Sequence, residues 1–501
     1  MYHFPETDRM PDVPALPVPD YADLNRRFHD ALLNPANNVL RHAPNGHPIF
    51  SAYIESDSNE LVTWGILAVG EWLAGRDAAW IAVTYPDFFS PELGLYMNIP
   101  GIKGSEFWYL FYVNTLAGAV QCALFPNDKA AVARMGSSAD AMARMAQKLD
   151  YDFNHQGYRF DQDAPFTNRP IFRQPDSIAG YAYNMLFAAR KADRPQYLTE
   201  SVQALTRYQA FAENPWYEIP NGSAGLLAAC WLTAHEHALD VPKIAGWVFD
   251  HEQGPMQTGR WAGEEIDGLM MGWRSATRKA AMDTAYSMET LMPLQFLLPS
   301  VRYCPDLADA VGKWARCVLS NFQLFYAHGA KPLHETRPDL DPSIPYEKLE
   351  RKRGLHSPVA CGDFFGERSV YGAGYLYWLE ALARPTGDKD IFALDLSLTD
   401  WLADRPYPVF MLRNPAAEAR TVRFTPAVVW QSLRPALYRN GALACALWDA
   451  RSRQRLADAG GAVRLTVPPQ STRIVALLPE GLTPVAADGF CKADGTELLR
   501  L

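Results

Sequence analysis

The stretches Ala462-Val463-Arg464-Leu465-Thr466-Val467 and Thr472-Arg473-Ile474-Val475-Ala476-Leu477-Leu478 decide the fold class of this chain. The first places an apolar residue at every second position, and the second is a short apolar run of strand length. Both read as β-strands. Toward the N-terminus, Tyr407 to Arg413, Thr421 to Phe424 and Ala442 to Trp448 read the same way, with turn residues between them at sandwich-like spacing. Upstream of about residue 390 the period changes. Apolar residues there recur at helical spacing over 105–124, 128–149, 176–192, 196–213, 222–239, 283–298, 305–327 and 371–383, after an earlier pattern from Tyr21 to Leu33. Asp57-Ser58-Asn59-Glu60 ahead of Trp64, Leu67, Ala68 and Trp72 predicts a capping box at the start of an inward-facing helix. Helices following one another in pairs, inner then outer, predict a ring of helical hairpins. The run Ile391-Phe392-Ala393-Leu394-Asp395-Leu396 then crosses into the strands. The expected layout is mainly α plus β: an N-terminal extension over 1–50, an (α/α)6 toroid over 51–388 and a small antiparallel β-sandwich over 389–501.

Composition bounds the function. The chain has 501 residues, 48% of them hydrophobic and 21% charged, which is a globular make-up able to bury a large core. A net charge of -9 without a basic face argues against binding a polyanion, since phosphate neutralisation needs clustered Lys and Arg. The one basic run, Lys348 to Arg353, is interrupted by Glu350. The seven cysteines, Cys122, Cys230, Cys304, Cys317, Cys361, Cys445 and Cys491, are odd in number and form no CxxC pair. Neither a disulfide framework nor a zinc site is indicated, and no metal or cofactor is expected. Met1-Tyr2-His3-Phe4-Pro5-Glu6 has no basic segment followed by an apolar one, so no signal peptide is visible. No run approaches ~18 uninterrupted apolar residues, the length of a membrane span. The expected compartment is cytoplasmic, or periplasmic or secreted if the sequence is a trimmed form. No GxSxG elbow, Walker loop or dinucleotide fingerprint is present.

The passage from Tyr371-Gly372-Ala373-Gly374 through Ala393-Leu394-Asp395-Leu396 and Tyr407-Pro408-Val409-Phe410 to Arg413-Asn414-Pro415 resembles a known junction. It is similar to the toroid-to-sandwich passage of the six-hairpin glycoside hydrolases and polysaccharide lyases. The resemblance covers the whole chain in architecture and identifies no numbered family, so it brings no catalytic residue with it. A weaker likeness, through Asn214-Pro215-Trp216, is to the linalool dehydratase-isomerases, which share a toroid.

The 14 Trp and 23 Tyr mostly serve a core, yet several sit in loops beside carboxylates and Gly, where flat rings can stack on sugars. Cleaving a glycosidic bond takes one carboxylic acid to protonate the leaving oxygen and a second carboxylate as base or nucleophile. The densest acidic stretch is Gly259-Arg260-Trp261-Ala262-Gly263-Glu264-Glu265-Ile266-Asp267-Gly268, followed by Trp273 and Arg274. Glu265 or Asp267 is the expected member of an acid/base pair, with Asp283 or Glu218 as its partner and Arg260 or Arg274 holding one member ionised. Read as a helix from Glu265 onward, the stretch puts Asp267 and Arg274 on one face. Trp216, Tyr217, Trp261 and Trp273 are expected to line one cavity, with Asn221 and Tyr286 as hydrogen-bonding neighbours. His155 and Arg159, and a second loop with His356, Asp363 and Arg368, complete the expected substrate contacts. Asp176, after Pro175, reads as a helix cap. His235-Glu236-His237 and Asp250-His251-Glu252 lack the spacing of converging ligands.

The favoured function is a glycoside hydrolase acting on an oligosaccharide or polysaccharide. The alternatives are a polysaccharide lyase, with base and neutraliser drawn from His155, Tyr158, Arg159, His356 and Arg368, a terpenol dehydratase-isomerase, and a non-catalytic glycan-binding protein. The expected partner is a carbohydrate. No nucleic acid or membrane partner is expected, and a homo-oligomer is left open.

Overall fold

A computed structural model describes residues 2–261, 263–274, 284–326, 337, 339–351, 359–361, 368–425, 433–458 and 462–501. The expected site residues Asp283, His356 and Asp363 lie outside the described residues. The helices are α1 Pro5–Arg9, α2 Tyr21–Leu33, α3 Leu61–Leu73, α4 Ala79–Ala82, α5 Phe107–Leu124, α6 Lys129–Lys148, α7 Ser177–Lys191, α8 Tyr197–Gln209, α9 Ile219–Ala234, α10 Val241–Phe249, α11 Ser287–Leu291, α12 Leu294–Tyr303, α13 Ala308–Asn321 and α14 Val370–Leu382.

Two kinds of helix alternate, and the sequence explains why. Helices α3, α5, α9 and α14 are apolar nearly all round and buried along almost their whole length. A helix of that kind needs partners on every side. It finds them in a closed cycle: α3 packs on α5, α5 on α7, α7 on α9, α9 on α12, α11 on α14, and α14 back on α3. The amphipathic helices lie outside this cycle, α2 against α14, α6 against α5 and α7, α8 against α7, α10 against α9 and α13 against α12. Burial on all sides also explains α5, whose 18 residues are apolar enough by length and composition to cross a membrane, yet are 83% buried in the ring wall. Glycine sets how near adjacent ring helices come. A Cβ at Gly225 would meet the Ala179 Cβ at 2.6 Å, and one at Gly374 would meet Ile66 Cγ2 at 2.8 Å.

Several local expectations change. The capping box before α3 does not form: the Glu60 side chain caps nothing, and Asn98 takes its place through its carbonyl (2.7 Å from Leu61 N) and its Oδ1 (3.1 Å from Val62 N). Helix α9 begins at Ile219 rather than near 222, because Pro220 is tolerated in a first turn. The stretch read as helical from Glu265 is a short hairpin instead, with Arg260–Trp261 paired to Glu264–Glu265. The positive φ of Gly259 and Gly263 suits such a turn. Helix α10 falls where no helix was expected, since its nine residues carry too short a pattern to stand out. Its signal was local: Asp240 caps Lys243 N at 3.0 Å, and Pro242 occupies the first turn.

After α14 the strands of three or more residues are β1 Ala383–Pro385, β2 Phe392–Asp395, β3 Val409–Asn414, β4 Arg420–Phe424, β5 Cys445–Asp449, β6 Arg455–Asp458, β7 Val463–Val467, β8 Ser471–Pro479, β9 Val485–Ala487, β10 Phe490–Ala493 and β11 Thr496–Arg500. An antiparallel sheet runs in the order β1-β2-β3-β8-β5-β6, with Phe410 opposite Val475. Strand β7 buries Val463, Leu465 and Val467 and exposes the residues between, as its alternation dictates, and pairs with β4 in a ribbon. The Phe410 and Phe424 rings, 4.8 Å apart, join ribbon to sheet. Helix α12 meets β11, where the buried Arg302 of α12 pairs with the buried Asp400 and donates to Leu498 O at 3.2 Å.

Candidate functional site

Each of three ring helices is entered through an extended glutamate: Glu60 before α3, Glu106 before α5 and Glu218 before α9. A residue at that position ordinarily spends its side chain on the helix's free N–H groups. None of these three does. Amide side chains do that work instead, Asn98 at α3 and, at α5, Gln174 Oε1, which accepts from Trp108 N at 2.9 Å. The carboxylates are thereby released, and they gather around Tyr109 in the first turn of α5. Burial, and then the charges of Glu60, Glu289, Glu218 and Glu106, push the Tyr109 hydroxyl well above its usual range. Glu289 belongs to α11, so acids at four ring helices act on one phenol, and we take this as one mouth of the ring.

Their surroundings differ. Both oxygens of Glu106 accept amide N–H groups, from Gln156 Nε2 and Gln174 Nε2, each at 2.8 Å. Glu60 accepts from Asn98 Nδ2 at 3.2 Å, and burial raises its pKa. Glu218 is 3% exposed, and burial, then Glu289, Asp176 and Glu106, hold its pKa well above the carboxylate range, with the Ile219 N–H opposing. A carboxyl shifted in that direction holds its proton more firmly than a free one, as a general acid must. Asp176 is fully buried just before α7, yet its side chain does not cap that helix. Its Oδ2 accepts from Tyr217 N at 2.9 Å and Glu218 N at 3.1 Å. Burial lifts Asp176 to about 7 against those hydrogen bonds.

Aromatic groups surround the acids. The Trp108 and Tyr109 rings lie 3.8 Å apart. Tyr53 and Tyr371 both donate to Glu347 Oε1, at 2.6 and 2.8 Å, and their hydroxyls are 2.7 Å from each other. Glu347 is also joined to α11 through Ser287 N, which donates to its carbonyl at 2.8 Å. Among the described residues, no group of three or more His, Cys, Asp or Glu is arranged to hold a metal ion.

Of the expected residues, the structure brings Glu218 and Tyr217 into this mouth. Glu218, Glu106 and Asp176 raise the Tyr217 hydroxyl after burial does, and Trp273 bridges Glu218 through the backbone while its ring lies 6.1 Å from Phe172. Glu265 and Asp267 are elsewhere. Glu265 accepts from Ala15 N at 2.8 Å and Arg260 Nη2 at 2.7 Å, and Asp267 accepts from Gly259 N at 2.9 Å. The Asp267 carbonyl and that of Gly268 are held by Asn321 and Trp314 of the outer helix α13. Burial first, with Glu265 adding to it, raises Asp267 to about 6, and the mouth acids are not among its leading causes. Among the described residues no hydrogen bond joins Glu265 or Asp267 to Glu218; the hairpin acids bond instead to local turn groups and to the segment around Ala15.

The expected four-ring cavity is corrected too. Trp216 packs with Met271 and lines a small cavity with Tyr208 and Trp247, and Trp261 is in the hydrophobic core. Tyr286 covers Gly272, and Asn221 donates to Ser177 Oγ at 3.2 Å beside Asp176. Arg260 is exposed, and Arg159 stands exposed over the Phe166 ring. His155 is half-buried, 4.0 Å from Asp152. Arg368 is fully buried, 3.8 Å above the Tyr346 ring, and donates to Ile344 O at 3.1 Å. The reading missed Glu106 and Tyr109 outright and took Glu60 and Asp176 for caps. The available signal was an acid directly preceding an almost wholly apolar helix.

No family model matches the chain, and no curated protein is similar to it. Solved structures resemble it at the level of layout. A sugar epimerase from a ruminal bacterium has a TM-score of 0.46 at 10% identity, over 72% of this chain and 98% of its own. A family 76 glycoside hydrolase from a bovine Bacteroides thetaiotaomicron strain has a TM-score of 0.44 at 11% identity, over 73% and 77%. A GH127 β-L-arabinofuranosidase from Geobacillus stearothermophilus T6 has 0.36 at 10%, over 93% and 77%. Likenesses this distant transfer neither an activity nor a residue role.

Proposed function

We propose that this protein is a glycoside hydrolase whose ring is an (α/α)6 toroid carrying a C-terminal β-sandwich, and whose chemistry occurs at the acid-lined mouth. The observation that supports this reading is Glu218: a buried carboxyl at the entry to α9, whose proton is held more firmly by burial and by the charges of Glu289, Asp176 and Glu106, within an aromatic surround. Glu218 protonates the leaving glycosidic oxygen as the bond to the anomeric carbon breaks. Glu289 acts on the opposite face of the sugar, as base toward water or as nucleophile. Trp108, Tyr109 and Tyr217 offer ring faces to the sugar's apolar side, and Glu106, held by two amides, is positioned to accept from sugar hydroxyls.

The test is reducing-end release from a panel of oligosaccharides. Glu218→Gln keeps the shape and removes the transferable proton, so turnover should fall by roughly 10²–10⁴ while binding persists. Products absorbing in the ultraviolet as unsaturated uronates would replace hydrolysis with elimination, and wild-type turnover by the variant would remove Glu218 from the chemistry.

A further inference from the structure

Asp176 stands where a helix cap belongs and does something else. It begins the entry to α7, yet its Oδ2 accepts two consecutive N–H groups of the next ring segment, Tyr217 and Glu218, and those two residues lead into α9. The bond thus runs from one ring helix to the entry of its neighbour. It fixes the backbone of the residue that carries the candidate acid. An asparagine oxygen could accept the same two N–H groups, so a carboxylate in this fully buried position is a costly choice unless its charge is used. Its other oxygen, Oδ1, is buried without a well-formed hydrogen bond among the described residues, with the Asn221 side chain beside the carboxyl.

The groups facing Asp176 come from three directions. Tyr217 and Glu218 approach from the loop before α9, Asn221 from the first turn of α9, and Tyr208 from the end of α8. Only one of these, Glu218, is an acid, and it is the one whose backbone Asp176 holds. Two carboxyl groups so placed do not both ionise readily; the one with N–H donors loses its proton first and the other retains it more firmly.

We propose that Asp176 is the positioning residue of the acid Glu218: it pins the Tyr217–Glu218 backbone to the neighbouring ring helix, and once ionised its negative charge makes the Glu218 proton harder to remove. This rests on Glu218 being the acid of the proposed reaction, but the linkage between the two carboxyls can be read without any turnover. With Asp176 ionised, the donor stays loaded. With that charge removed, Glu218 gives up its proton at lower pH and the alkaline limb of activity moves the same way.

Infrared difference spectra of wild type against Glu218→Gln isolate the protonated carboxyl band of Glu218, which is then followed with pH. In Asp176→Asn, which keeps the shape and the acceptor, the pH at which this band disappears should fall by about one unit, and the alkaline limb of kcat should fall with it. Asp176→Ala loosens the backbone as well and should lower kcat at every pH. A second measurement needs no Asp176 variant: the wild-type Glu218 band should change frequency as the pH passes about 7, where Asp176 itself ionises. A Glu218 band and alkaline limb unmoved in Asp176→Asn, or a wild-type band indifferent to pH around 7, overturns the assignment. A shifted band in a protein that cleaves no glycoside upholds the linkage and rejects hydrolysis. A working hydrolase with an unshifted band does the reverse.

Discussion

The chain holds two acidic regions, the hairpin around Glu265 and Asp267 and the ring mouth around Glu218, and they use the same side chains in opposite ways. In the hairpin Glu265 and Asp267 each have local work. Glu265 ties Arg260 to the backbone of Ala15, and Asp267 closes a turn on Gly259. At the mouth, glutamates occupy helix-cap positions and decline to cap, because Asn98 and Gln174 do it for them. Glu60 and Glu106 then accept from side-chain amides, and the buried Glu218, with no side-chain cap to make, is expensive to keep charged. That expense, rather than the density of acids along the sequence, separates a site from a turn.

Glu289→Gln probes the mouth hardest. If it is the partner of Glu218, its loss should reduce turnover by roughly 10²–10⁴ with the melting temperature nearly unchanged, measured by steady-state rates and thermal unfolding together. A smaller effect is expected from the hairpin. Asp267 is raised to about 6 by burial, so its folded form binds a proton that the unfolded chain has released. Wild type should therefore lose stability relative to Asp267→Asn as pH rises from about 4 to 6 and hold that deficit above it, by about 1–2 kcal/mol. Denaturant unfolding of both proteins across that range gives the difference directly. A gap that is flat in pH would mean Asp267 ionises in the folded protein as it does in solution, and the contrast between the regions would blur.

The periodicities carried the fold. Apolar alternation in Val463 to Val467 and all-round apolar helices such as α5 depend on local sequence alone, so both were legible. The helix bounds that slipped, at Pro220 and in α10, turned on one or two residues of capping chemistry. The site was harder to read, since its acids lie more than 40 residues apart along the chain (Glu60, Glu106, Asp176, Glu218, Glu289) and meet only because the ring closes. A crowded stretch such as 259–268 attracts attention in one dimension, yet adjacent residues in a tight hairpin mostly serve each other. Asp176 was read as a cap because its position is that of a cap. Its actual partners, Tyr217 and Glu218, are set by the packing of α7 against α9.

The central claim is that the mouth carries the chemistry and the hairpin carries structure. It is tested most directly by measuring turnover and melting temperature side by side for Glu218→Gln and Glu265→Ala. The account predicts a crossed result. Glu218→Gln should melt within about 2 °C of wild type and lose nearly all turnover. Glu265→Ala should lose about 1–2 kcal/mol of stability and, where folded, turn over at the wild-type rate. An inactive but stable Glu265→Ala beside an active Glu218→Gln would contradict it.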